Sequence, residues 1–122
     1  MRDLFIISKD NLDIDECFNL IKETYKDAQK LNNEICIAKT PRSFYLWFPS
    51  SLRGAEKTSL TEDELKDVPK DYKFFTNLEF HFSGVAKNVV QALSKKFADI
   101  IIMLDCGTVY SADSFIKENF DF

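Results

Sequence analysis

Two segments with apolar residues at helical spacing, each set between apolar runs, constrain the fold most. The first predicts an amphipathic helix over residues 14–30, which begins at an Asp13–Glu16 capping box and ends at residues 31–33, where asparagine tolerates a left-handed conformation. The second predicts an amphipathic helix over residues 85–97. An amphipathic helix must bury its apolar stripe, and the neighbouring apolar runs offer the surface for that.

Five apolar or alternating runs predict strands. They cover residues 4–8, 34–40, 43–49, 74–84 and 99–104. The fourth alternates cleanly at its end, where Leu78, Phe80 and Phe82 face one way while Asn77, Glu79 and His81 face the other. The spacing Leu60 to Leu65 predicts one short helix before Pro69.

The order of these elements is β-α-β-β-β-α-β. It predicts a single α+β domain over residues 1–122, built as a two-layer sandwich. One mixed or antiparallel sheet of about five strands carries both amphipathic helices on one face, and a short C-terminal helix follows. The strand order stays open at this point.

Composition excludes several classes of protein. The chain has 122 residues, a net charge of −4 and a pI near 5.0, which argues against a nucleic-acid binder because such proteins need a basic patch. Cys17, Cys36, Cys106 and the single histidine, His81, do not form a usual zinc set, so no metal or cofactor is expected. No run is long enough for a signal peptide or a membrane span, and a cytoplasmic protein with reduced thiols is expected.

The end of the last apolar strand poses a choice between a catalytic site and a turn. Cys106 would need a base to become a nucleophile, and His81 on another strand is the only histidine for that role. Asp105 and Gly107 are turn residues, and residues 108–110 can return as a short strand. Ser111 can then cap the last helix, whose first turn carries Asp113. We interpret the segment as a turn, and we expect no enzymatic activity.

The same segment resembles the C-terminal part of several small bacterial immunity proteins, which neutralise toxins of polymorphic and contact-dependent growth-inhibition systems. The matching residues are Asp105, Gly107, Val109, Tyr110, Ser111 and Phe115. The usual pattern often has two or three acids in the turn, and Cys106 takes one of those places here. The resemblance implies a cytoplasmic, non-catalytic protein that binds one cognate toxin domain and blocks it.

One candidate binding surface is the acidic segment 62–71, which has five acids and two lysines and therefore a net charge of −3. Its acids are Glu62, Asp63, Glu64, Asp67 and Asp71. They could face the basic cleft of a nuclease toxin and speed its association. The alternative is that the first three acids cap a helix whose outer face is solvated.

The second candidate surface is the open face of the sheet. It would present Tyr45, Trp47, Glu79 and His81, because aromatic side chains amid polar groups are typical of interface anchors. The alternative places Trp47 in the core. The sequence thus favours an immunity protein that binds a toxin, as a monomer or a homodimer. The competing hypothesis is a small cytoplasmic enzyme or ligand-binding domain with a pocket between sheet and helices.

Overall fold

A computed structural model describes residues 2–37, 43–52, 65–104 and 108–118, which form an α+β fold with seven strands and three helices. The strands are β1 (Arg2–Ser8), β2 (Gln29–Leu31), β3 (Glu34–Ile37), β4 (Phe44–Leu52), β5 (Phe74–Phe80), β6 (Ile101–Met103) and β7 (Val109–Ser111). The helices are α1 (Ile14–Thr24), α2 (Ser83–Ser94) and α3 (Ala112–Lys117). The predicted short helix at 60–65 lies outside the described residues except for Leu65.

One antiparallel sheet joins all seven strands in the order β2-β3-β4-β5-β1-β6-β7. The first strand of the chain lies between β5 and β6. Since both pair with it in the antiparallel sense, β5 and β6 run in the same direction and α2 connects them across β1. The predicted count of about five strands is matched only roughly, because the unpredicted β2 and the short returning strand β7 extend the sheet at its two edges.

Helix α1 is shorter than the predicted 14–30. Asp13 caps it as predicted, with the Asp15 N–H donating to Asp13 Oδ1 at 3.1 Å. The chain leaves the helix after Thr24 because residues 29–31 pair with β3 in a hairpin, whose turn holds Asn32 at a φ of 54°. The helical period continued past the true end because Tyr25 and Ala28, although outside the helix, remain buried in the core.

The alternation of β5 ends where α2 begins. Leu78 and Phe80 are fully buried, as predicted, but Phe82 is 56% exposed. Phe82 has left the strand and occupies the N-cap position of α2, so the predicted inward orientation of its side chain is wrong. A strand period applies only to residues that stay in the strand.

The main core lies between the three helices and one face of the sheet. Central strands supply Ile6, Leu46 and Leu78, and Ile21 of α1 and Val89 of α2 pack onto them from the helix layer. Phe115 anchors α3 to the same core with no exposed surface, and Ser111 caps that helix by accepting the Ser114 N–H at 3.1 Å. All three helices therefore cover the same face. No helix within the described ranges has the length and hydropathy needed to cross a membrane.

Candidate protein-binding surface

The face of the sheet that points away from the helices, here called the outer face, divides into two halves. One half is apolar and is covered by residues 65–73, which place Val68 and Tyr72 against Ile7, Phe75 and Met103. The Tyr72 hydroxyl donates to the Asp99 carbonyl at 2.7 Å, and the Lys73 N–H donates to the Ser8 carbonyl at 3.1 Å. These contacts attach the covering segment to the sheet.

Besides the positions of Gln29, Leu31, Cys36 and Trp47, the other half, here called the acidic half, holds Asp3, Glu34, Tyr45, Asn77 and Glu79. Asp3 of β1 stands directly opposite Glu79 of β5, and Tyr45 of β4 stands opposite Glu79 from the other side. Asp3 is exposed, and the side chains of Glu34, Tyr45, Asn77 and Glu79 are half-buried. Asn77 Nδ2 donates to Asp3 Oδ2 at 3.3 Å, which partly satisfies one of the carboxylates.

Charge is distributed unequally between the two faces of the domain. The outer-face positions of the seven strands carry three acids and no lysine or arginine. Within the described part of the chain, Asp3, Glu34 and Glu79 form no ion pair.

The helix layer is different, because three acids of α1 pair with lysines. Lys95 lies 3.6 Å from Glu23, Lys96 bonds Glu16 and Lys30 bonds Asp15. Glu16 therefore serves as an ion-pair partner for Lys96, in addition to its predicted place in the capping box. The negative field of the domain is consequently less neutralised over the acidic half than over the helices.

The structure brings together two of the predicted interface residues, Tyr45 and Glu79. The backbone of Trp47 pairs with Asn77 and with Glu34, but its side chain lies outside the described residues. His81 is exposed and follows the end of β5, so it is outside the sheet.

The predicted acidic segment is only partly described. Asp67 and Asp71 are exposed on the segment that covers the apolar half, and Asp71 lies 3.6 Å from Lys9. Glu62, Asp63 and Glu64 lie outside the described residues, so their grouping with the other acids stays a prediction.

Sequence reasoning missed Asp3 and Glu34 as members of this surface. The strand geometry that turns Leu4 and Ile6 towards the helices also places Asp3 on the outer face, but the run from Leu4 to Ile7 is apolar throughout and shows no alternation in the sequence. What the sequence lacked was the pairing of β1 with β5 and of β3 with β4, because register alone decides which side chains stand side by side.

The described cysteines are poor candidates for catalysis. Burial raises the pKa of the Cys17 thiol to about 12, and the nearby charges of Asp13 and Glu16 add to the effect. Burial, and then the charge of Glu34, also raises the pKa of Cys36. Both thiols thus stay protonated near neutral pH, whereas a nucleophile must be a thiolate. Cys106 lies outside the described residues, and the described ones include no cluster of three potential metal ligands.

Comparison with known proteins adds no relative, since no family model, no curated protein and no solved structure matches the chain.

Proposed function

We propose that this protein is an immunity protein, which binds a bacterial toxin domain through the acidic half of its outer face and thereby blocks it. The observation that supports this proposal is the unequal charge distribution, with a tyrosine and three acids that form no ion pair among the described residues on one sheet face. The resemblance of residues 105–115 to immunity proteins agrees with it. In this proposal the protein is cytoplasmic and performs no chemistry of its own.

The chemistry of the surface indicates a basic partner. A nuclease toxin must attract phosphates and therefore presents lysine and arginine side chains, which complement the field of Asp3, Glu34 and Glu79. Tyr45 provides a flat aromatic surface beside these acids, and tyrosine is a frequent anchor at protein interfaces. The acids would steer the encounter, while the tyrosine would slow dissociation.

The affinity that such an inhibitor needs is within reach of a domain of this size. A nanomolar dissociation constant corresponds to about −12 kcal/mol. Interfaces that bury roughly 1,600 Å² in total reach this value when a few anchors are well packed. The acidic half is smaller than such an interface, so we expect the contact to continue onto the exposed acids of the 65–73 segment, Asp67 and Asp71.

The proposal is tested with the toxic domain encoded beside the gene for this protein. Association and dissociation rates are measured for the unmodified chain, for Glu79→Lys and for Glu23→Lys, each at low and at physiological salt. Both substitutions change the net charge by the same amount, but Glu23 lies on α1 in the helix layer. We expect Glu79→Lys to reduce the association rate by about 10-fold at low salt, with a smaller reduction at physiological salt.

Glu23→Lys is expected to change the association rate much less. Equal effects of the two substitutions would show that only net charge matters, and the acidic half would then not be the interface. Failure of the unmodified chain to bind or inhibit the neighbouring toxin domain would refute the immunity function itself.

A further inference from the structure

Thr76 is an exception among the polar side chains of the interior. Three of them are buried within the described ranges, Ser8, Ser43 and Thr76. Ser8 Oγ donates to the Asp10 carbonyl at 2.8 Å, and Ser43 also has a partner. Thr76 is only 2% exposed, yet its hydroxyl makes no hydrogen bond with any of the described residues. A buried hydroxyl without a partner is costly and therefore rare in native proteins.

The position of Thr76 in the sheet explains why its buried hydroxyl has no hydrogen-bond partner among the described residues. It lies in the middle of β5 on the side of the helices, where it pairs with Ile6 of β1. On its other side, β4 pairs with β5 before and after Thr76 but not at it. Trp47 stands opposite Asn77 and Ser51 stands opposite Phe75, so residues 48–50 of β4 face the single residue Thr76.

Such an irregularity is a β-bulge, and it takes backbone N–H and C=O groups out of the regular ladder. These groups require hydrogen-bond partners as much as the threonine hydroxyl does. The irregularity thus places backbone groups that have no ladder partner on β5 close to the hydroxyl of Thr76, on the interior side of the sheet. On the other side of Thr76, the residues in line with it on β1 and β6 are Ile6 and Ile102. Their side chains are apolar and cannot form a hydrogen bond with the Thr76 hydroxyl.

We propose that a buried water molecule binds between Thr76 Oγ1 and the backbone of the β4 bulge, on the helix side of the sheet. Buried waters typically make about three hydrogen bonds to polar groups that the protein leaves unpaired, and they occur about once in 27 residues. The threonine hydroxyl contributes one of these bonds and the bulge contributes the others. The water fixes the irregular part of β4 and hence the register of the regular part that carries Tyr45. This inference does not depend on the proposed immunity function.

The test compares high-resolution crystal structures and urea unfolding of the unmodified protein, Thr76→Val and Thr76→Ser. Valine has the shape of threonine without the hydroxyl, whereas serine keeps the hydroxyl and removes a methyl group. We expect a water within hydrogen-bond distance of the residue-76 hydroxyl in the unmodified protein and in Thr76→Ser, and none in Thr76→Val. The unfolding equilibrium constant of Thr76→Val should rise about fivefold, because the water and the bulge lose a hydrogen bond.

Two outcomes would overturn the proposal. The first is a dry interior at Thr76 in the unmodified protein, including one in which the hydroxyl bonds directly to a carbonyl. The second is a Thr76→Val protein that is more stable than the unmodified one, since that result would mean that the hydroxyl had been buried without any partner.

Discussion

Neutralising Glu79 should stabilise this protein, because Glu79 of β5 and Asp3 of β1 are directly paired neighbours whose negatively charged side chains lie on the same face of the sheet. Side chains in such pairs have Cβ atoms about 5 Å apart. Two unit charges at about 5 Å in water repel each other by about 0.8 kcal/mol. Screening by salt, with a Debye length of about 8 Å, lowers this repulsion to about 0.4 kcal/mol at physiological ionic strength.

The expected effect of Glu79→Gln is therefore an increase in the free energy of unfolding of about 0.4 kcal/mol at 0.15 M salt. At 0.01 M salt the Debye length is about 30 Å, and the increase should be about 0.7 kcal/mol. Glutamine keeps the size of the side chain, and the hydrogen bond from Asn77 to Asp3 is not affected. The assay is urea unfolding at the two salt concentrations, combined with Asp3→Asn in a double-mutant cycle.

A matched control is Asp27→Asn, which removes an exposed acid that has no ion-pair partner among the described residues. It should change stability by less than Glu79→Gln does, because only the general repulsion of a net negative chain is relieved. A coupling energy between Asp3 and Glu79 that is zero at low salt, or that is attractive, would refute the assignment of the two carboxylates to one row of the outer face.

Four further measurements test other parts of the structure. Tyr72→Phe removes the hydrogen bond to the Asp99 carbonyl and should lower the free energy of unfolding by about 1 kcal/mol, measured by urea unfolding with an unchanged m-value. Ser111→Ala removes the cap of α3 and should cost about 1 kcal/mol, visible as a lower melting temperature. In a chain with Cys36 and Cys106 replaced by alanine, Cys17 should not react with a thiol reagent at pH 8 until the protein unfolds, because burial raises its pKa to about 12 from 9.0. In that chain the raised pKa should also make stability fall between about pH 9 and pH 12, because only the unfolded state readily loses the thiol proton there.

The parts of the fold that the sequence predicted are those in which one period extends over many residues. Leu78 and Phe80 alternate with Asn77 and Glu79, and the structure places the first pair in the core and the second on the outer face. The helix of residues 85–97 was found with its ends shifted by two or three residues, at Ser83–Ser94. A long hydrophobic period predicts its helix or strand correctly because burial of the apolar face dominates the stability of that element.

The elements that were missed have no such signal. The three residues of β2 are all exposed and include Lys30, so neither burial nor alternation marks them as a strand. Only pairing with β3 makes this segment extended, and pairing depends on the hairpin turn at Asn32. For the candidate surface, Tyr45 and Glu79 were predicted to share the open face of the sheet, but their direct opposition and the addition of Asp3 depend on register. Register results from contacts between strands that are distant in the sequence.

The acidic half can exist because the stability of the sheet comes from elsewhere. The helices bury one face, and the segment 65–73 buries the apolar half of the other, so no part of the two cores depends on Asp3 or Glu79. A small repulsion on the remaining surface is therefore tolerated, and selection for the proposed binding would retain it although selection for stability alone would remove it. Glu79→Gln should therefore separate stability from binding. It should increase the free energy of unfolding and weaken association with a basic partner. If it weakened both, Glu79 would have a structural role, and the charge of the outer face would need another explanation.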